Sequence, residues 1–171
     1  MKNFALIILL ALGTLLQAEN YDTFIGIEAG STKVRLDQSD SERGGEYGLR
    51  IGFIRDTGRA YISGSMADLD HAKLYNIALN FDAITPRAYH FNDSFALRGF
   101  LGVHGGYTQI DPDNFSKDES GMGGGKAGVF LDLPANISIE IGYKVTWTSV
   151  KIGNESVQNY QKIYAAYNYT F

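Results

Sequence analysis

The sequence has no cysteine and only 3 prolines in 171 residues. No disulfide can therefore staple the fold, and no thiol follows the first apolar run to carry a lipoprotein anchor. Basic charge is not in excess either: 15 Lys and Arg stand against 19 Asp and Glu, a net charge of −4. A chain of that sign has no basic patch with which to displace counterions, which excludes nucleic acid as a partner class. Beyond residue 18 no apolar run is long enough to make a membrane helix. What is plentiful is Gly (20), Tyr (11) and Phe (10). Rich in glycine and aromatics and poor in proline, the chain suits many strands joined by turns.

The single apolar run opens the sequence. Lys2 precedes Phe4–Leu16, and the run ends at Gln17-Ala18-Glu19. A positive start, a 13-residue apolar stretch and a small residue at its end predict a secretory signal peptide over 1–18, cut after Ala18. It is too short to span a bilayer as a mature helix. Removing it leaves 14 cations (15 less Lys2) against 19 anions in a single domain over 19–171.

Period two dominates that domain. In Ile137–Trp147 the odd positions read Ile137, Ile139, Ile141, Tyr143, Val145 and Trp147, and the even ones Ser138, Glu140, Gly142, Lys144 and Thr146. A helix would mix the two sets, whereas a strand sends them to opposite faces. Tilted by about 40°, such a strand rises about 28 Å, the height of an outer-membrane apolar band. The alternation recurs in seven more segments. It is sharp around Tyr47–Phe53, Tyr75–Phe81, Leu97–Tyr107, Ala127–Leu133 and Ile163–Phe171, and blurs after Ser31 in the first. It is weakest over Arg59–Ala67, where Tyr61 and Ile62 compete for the apolar face.

Short turns (Asp56-Thr57-Gly58, Leu133–Asn136) alternate with longer polar loops read over 37–45, 111–124 and 151–157. The link 84–94 is unusually long for the short-turn end. Eight strands with connections polarised in this way predict an all-β fold, an antiparallel up-and-down barrel.

Alternation does not say which face points inward. A water-soluble barrel has its apolar face inside and charge outside. Here the polar face carries Gly, Ser, Thr and Asn with isolated charges, which suits a narrow filled lumen. Tyr47, Tyr75, Tyr107, Tyr143 and Trp147 cluster toward strand ends on the apolar face, the distribution of a lipid-interface girdle. Both point to a transmembrane barrel.

The last strand carries Ile163, Ala165, Tyr167, Tyr169 and Phe171 on one face and stops on the phenylalanine. This resembles the C-terminal assembly signal of Gram-negative outer-membrane barrels. With the leader and eight strands, the chain resembles the small OmpA/OmpX-like barrel superfamily over about residues 21–171. The resemblance implies an integral outer-membrane monomer, exported by a Sec-type route and inserted by the barrel-assembly machinery. It implies outer-membrane lipid and lipopolysaccharide as surroundings. It covers architecture and the C-terminal motif, and carries no signature of a particular activity.

For the lumen, the even faces place Glu28, Arg50, Arg98, Lys126, Glu140, Lys144 and Lys162 together with Asp82, His104 and Asp132. Buried charges must pair, so Glu28 with Arg50, and Glu140 with Lys126, Lys144 or Lys162, are expected from neighbouring strands. The expected outcome is a polar plug with no open pore, no catalytic residue, no metal and no cofactor. Gly123–Gly128 fits GxGxxG but opens a strand, not a helix, and Asp111–Ser116 departs from a calcium loop at its fifth and sixth positions. Two alternatives stay open. One is a lipid A-modifying barrel enzyme, for which His71, His90 and His104 are the available imidazoles, none followed by Ser as in outer-membrane deacylases. The other is a surface adhesin acting through loops 37–45 and 111–124. Lys33 and Arg35, near the outer end of the first strand, are candidates to meet lipopolysaccharide phosphates.

Overall fold

The computed structural model describes residues 21–36, 41–86, 89–92, 95–113, 116–152 and 155–171. The predicted leader, 1–18, lies outside the described residues. Among these residues there are ten strands and no helix: β1 (Asp22–Leu36), β2 (Glu42–Arg55), β3 (Gly58–Leu69), β4 (Ala72–Ile84), β5 (Tyr89–Asn92), β6 (Phe95–Pro112), β7 (Asp118–Leu133), β8 (Ile137–Thr148), β9 (Lys151–Ile152) and β10 (Glu155–Thr170). Eight of them are long. Each long strand pairs antiparallel with its neighbours in chain order, β4 passing directly to β6 and β8 to β10. β10 then returns to β1, from Phe24 opposite Thr170 to Leu36 opposite Val157, and the sheet closes into a barrel. The short β5 folds back on β6, and β9 on β10.

Parity decides which side each residue faces. The exposed set includes Ile27, Leu49, Ile51, Ile77, Leu101, Val103, Ile141 and Ile163, while the interleaved Glu28, Arg50, Asn76, Asn80, Lys126, Glu140 and Lys162 point inward. In β3 the competition is resolved in favour of the ring: Tyr61 is inside at 4% exposure and Ile62 faces out. The hydroxyl is the reason, since inside the barrel it meets the Lys126 ammonium.

The interior is layered along the axis. Toward the short-turn end Phe100, Phe130, Tyr164, Ala166 and Ile84 pack together. The middle is ionic. Toward the other end the inward positions turn apolar again, with Val34, Ala67, Leu69, Leu74, Ile110, Met122, Val150 and Val157 in one cluster. At that same level the outward residues turn polar: Lys33, Arg35, Arg43, Asp68, Lys73 and Glu119. The pattern thus inverts above the apolar band, and a collar of barrel continues with an ordinary apolar core. A bulge between Arg35 and Leu36 carries Val157 into that core.

This collar corrects the loop boundaries read from composition. Of loop 37–45, residues 42–45 belong to β2, and 37–40 lie outside the described residues. Of loop 111–124, Asp111 and Pro112 end β6 and 118–124 are strand in β7. Of 151–157, residues 155–157 belong to β10. Strands persist there because every second residue has an apolar core to enter, however polar the outward residues are. The link from β3 to β4 is only Asp70 and His71, so the ends of the barrel differ less in loop length than the sequence suggests.

At the short-turn end, Pro134–Asn136 joins β7 to β8 with φ of 63° at Ala135 and 60° at Asn136. The carbonyl of Asn136 accepts from the Thr170 amide at 2.9 Å, and the Thr23 carbonyl from the Phe171 amide at 2.8 Å, which fixes the chain end. Asn tolerates the left-handed region, whereas the Ala135 methyl is strained in it. Ala135→Gly should therefore stabilise the folded barrel by about 0.5–1 kcal/mol. The urea midpoint of refolded protein in lipid vesicles reads it; an unchanged or lower midpoint would show the turn to be unstrained.

Candidate functional site: the charged lumen and the apolar wall

Glu140 on β8 is fully buried and takes four hydrogen bonds. Arg59 of β3 donates to both its oxygens, at 2.7 and 3.0 Å. Arg50 of β2 adds one at 2.9 Å and the Tyr164 hydroxyl of β10 another at 2.7 Å. Arg59 also donates through Nε to Asp82 at 2.6 Å, and its guanidinium lies 4.4 Å from the centroid of the Phe130 ring. A bidentate arginine with a second carboxylate and an aromatic face has nearly all its planar donors used.

Around this centre, Lys126 reaches Asp82 at 2.9 Å, Asn80 at 3.0 Å and the Tyr61 hydroxyl. Lys162 bridges Glu28 at 2.6 Å and Glu46 at 2.8 Å, and Thr32 donates to Glu46. Arg50 also lies 3.7 Å from Glu28. Arg98 and Asp132 pair at 2.7 Å near the short-turn end.

The structure places the residues expected in the lumen on the inward face and Glu28 3.7 Å from Arg50, but it gives Glu140 other partners than those expected. Glu140 pairs with Arg50 and Arg59 across the barrel, not with Lys144 on its own strand or with Lys126 and Lys162 on the neighbouring ones. Lys126, Lys144 and Lys162 stand directly opposite one another on β7, β8 and β10. The outer two have carboxylates; among the described residues none lies within salt-bridge distance of the middle one, Lys144. Arg59, Tyr61 and Glu46 are participants that composition did not single out. Arg59 sits in the segment with the weakest alternation, and Glu46 next to glycines that read as loop.

His104 is buried, with Nε2 2.8 Å from the Thr146 hydroxyl and, among the described residues, no hydrogen-bond partner for Nδ1. It crosses directly over Gly124, where any Cβ would stand 2.0 Å from the Val145 carbonyl and 2.5 Å from the imidazole. Gly142 makes the same kind of room for the Tyr164 ring, 2.6 Å from where its Cβ would be. His71 is at the tight β3–β4 link, 3.6 Å from Glu42, and His90 is on β5. The three histidines lie on different elements, in the β3–β4 link, on β5 and on β6.

The outside of the barrel is apolar around its girth, with Leu49 at 67% exposure and Leu101 at 70%. Tyr47, Tyr75, Tyr107 and Trp147 stand toward the collar end of this band, and Tyr143 lies deeper, opposite Ala127 and Ile163. At the other edge are Tyr167, Tyr169 and Phe171, the last two in edge-to-face contact at 5.2 Å. Ile163, Ala165, Tyr167, Tyr169 and Phe171 all face outward in one row.

This closed antiparallel barrel, apolar on the outside below the collar, is similar to solved structures. The fold is that of small outer-membrane barrels. The chain superposes on Neisserial surface protein A with a TM-score of 0.74 and 16% identity, covering 87% of this chain and 97% of that one. It superposes on outer membrane protein H of P. aeruginosa with a TM-score of 0.59 and 23% identity, covering 88% and 99%. No family model and no curated protein matches the sequence.

Two substitutions separate the parts of this network. Glu140→Gln leaves the buried Arg50 and Arg59 undercompensated and should cost about 3–5 kcal/mol. Lys144→Met removes a cation flanked by two others and should be neutral or stabilise by up to about 1 kcal/mol. Urea unfolding in vesicles reads both. Equal losses would mean that Lys144 has a stabilising partner and that the lumen is not organised around Glu140.

Proposed function

We propose that this chain is an integral barrel of the bacterial outer membrane, with a structural and surface role and with its lumen closed to ions. The observation that carries the reading is the inverted polarity: leucines more than two-thirds exposed on the outside, and arginine–glutamate pairs fully buried inside. In water that arrangement wastes the hydrophobic effect and desolvates charge, and in a bilayer it satisfies both faces. Closure of the lumen is supported by two successive layers, the ionic centre around Glu140 and the apolar core of the collar. A non-catalytic role is supported by His104, whose ring nitrogen engages a threonine and beside which no carboxylate stands among the described residues to orient a base.

The row ending at Phe171 supports insertion by the barrel-assembly machinery, since the final strand presents an apolar, aromatic face to the membrane. The folded chain should migrate faster unboiled than boiled on a denaturing gel, fractionate with the outer membrane and give no discrete conductance steps in a planar bilayer. Leu101→Arg is the sharper test. At the lipid-facing midplane an arginine costs about 2–4 kcal/mol, whereas on a solvated wall it costs almost nothing. A variant as stable and as efficiently inserted as the parent would sink the membrane reading.

A further inference from the structure

One cation of the lumen stands apart from the network. Lys144 lies on the inward face at mid-length of β8, directly opposite Lys126 on β7 and Lys162 on β10. Among the described residues no carboxylate comes within salt-bridge distance of it. The two acids that act on it at longer range, Glu28 and Glu46, both hold Lys162, at 2.6 and 2.8 Å. Arg50 and Arg59 share Glu140, and Lys126 takes Asp82. In this layer four carboxylates thus serve five cations, and one positive charge is left over. Hydrogen bonding is out of balance in the same sense. Arg50 Nε and Nη2 are buried donors with no acceptor among the described residues. The lumen is short of negative charge and of acceptors together, and only an anion supplies both; a water accepts but leaves the charge.

Lys144 also borders space. It is partly exposed, whereas Lys126 and Lys162 beside it are buried at 4% and 2% exposure. On an inward face that exposure is to the inside of the barrel. Eight strands leave room for little besides side chains, which limits an occupant to an ion of about the size of a water. Buried apolar layers separate this level from both mouths, with Met122 and Val157 on the collar side and Phe100 and Phe130 on the other. Whatever neutralises Lys144 therefore lies between those layers.

We propose that the folded barrel encloses one small monovalent anion of the halide class, held by Lys144 in the middle of the lumen. The ion is taken up as the barrel closes and completes the charge balance around Glu140. Sealed on both sides, it carries no current. Such a site depends on the closed barrel and its lumen charges, and not on what surrounds the wall.

The test refolds and crystallises the full chain with sodium bromide as the sole halide, and bromine anomalous scattering locates the ion. One peak against the Lys144 ammonium is expected, and none there in Lys144→Met crystals grown alike. In parallel, urea unfolding is followed at constant ionic strength while gluconate, too large for the lumen, is replaced by bromide. Above the dissociation constant each tenfold rise in bromide should lower the unfolding constant about tenfold, the signature of one ion. Lys144→Met and Lys144→Gln should lose that dependence, and Lys73→Gln on the exposed wall should keep it. In gluconate Lys144→Met should be at least as stable as the parent, and bromide should close that gap. Bromide confined to the protein surface, a parent midpoint indifferent to bromide, or a dependence that survives both lumen substitutions each overturns the proposal. If neither substituted chain folds, the bromine map of the parent decides alone.

Discussion

A fully buried carboxylate held by two guanidinium groups sets the terms for the rest of this molecule. Glu140 is joined to Arg50 and Arg59, so β8 is tied through the lumen to β2 and β3, while Tyr164 of the adjacent β10 completes its hydrogen bonds. Backbone ladders connect each strand only to its neighbours. These side-chain bonds connect opposite walls, and they hold the cross-section of the barrel. Each of the surrounding groups is then placed by what Arg59 leaves over: Asp82 takes its Nε, Lys126 takes the other Asp82 oxygen, and Tyr61 caps Lys126. A single ionised group left without its partner inside such a network is far more costly than the network is favourable.

The wall was readable from the sequence and the network largely was not, for a physical reason. Side-chain parity is a local property, so Ile139, Glu140 and Ile141 declare their faces without reference to any other strand. Arg59 and Tyr61 escaped because Tyr61 and Ile62 are both apolar by composition, and only the buried ammonium of Lys126 decides between them. Pairs across the lumen depend on barrel diameter and strand tilt, which no nearest-neighbour register contains. That is why Glu140 was expected beside lysines of the adjacent strands and instead meets arginines from across the space. The collar escaped by a related route. Its glycines and acids look like loop, and the apolar inward residues that keep it extended, Val34, Leu69, Ile110 and Met122, are too widely spaced in the chain to announce a common core.

The inversion of polarity along the axis means that one continuous sheet is built for two solvents. Below the collar, apolar residues face out and charge is kept in; within it, the ordinary rule of a water-bathed protein holds. On the strands that reach into the apolar core of the collar the change occurs within a few residues, and no turn or hinge marks it. The boundary is set by composition alone, with Tyr47, Tyr75 and Trp147 just beneath it.

Closure through β1 and β10 has a further consequence. Phe24 faces Thr170, so the pairing that completes the cylinder joins the first strand of the chain to the last. Until that seam zips, both edges present unpaired amides and carbonyls beside rows of exposed isoleucine and tyrosine, the geometry most prone to aggregation. The Asn136 and Thr23 carbonyls that receive Thr170 and Phe171 act as the end stop of this seam and fix the register at which it closes. A one-residue slip there would turn Tyr167 and Tyr169 inward against Glu28 and Glu140 and send Lys162 out into the apolar band. The closing strand thus carries its own check on register: Lys162 reaches the lumen only when the parity of the seam is right.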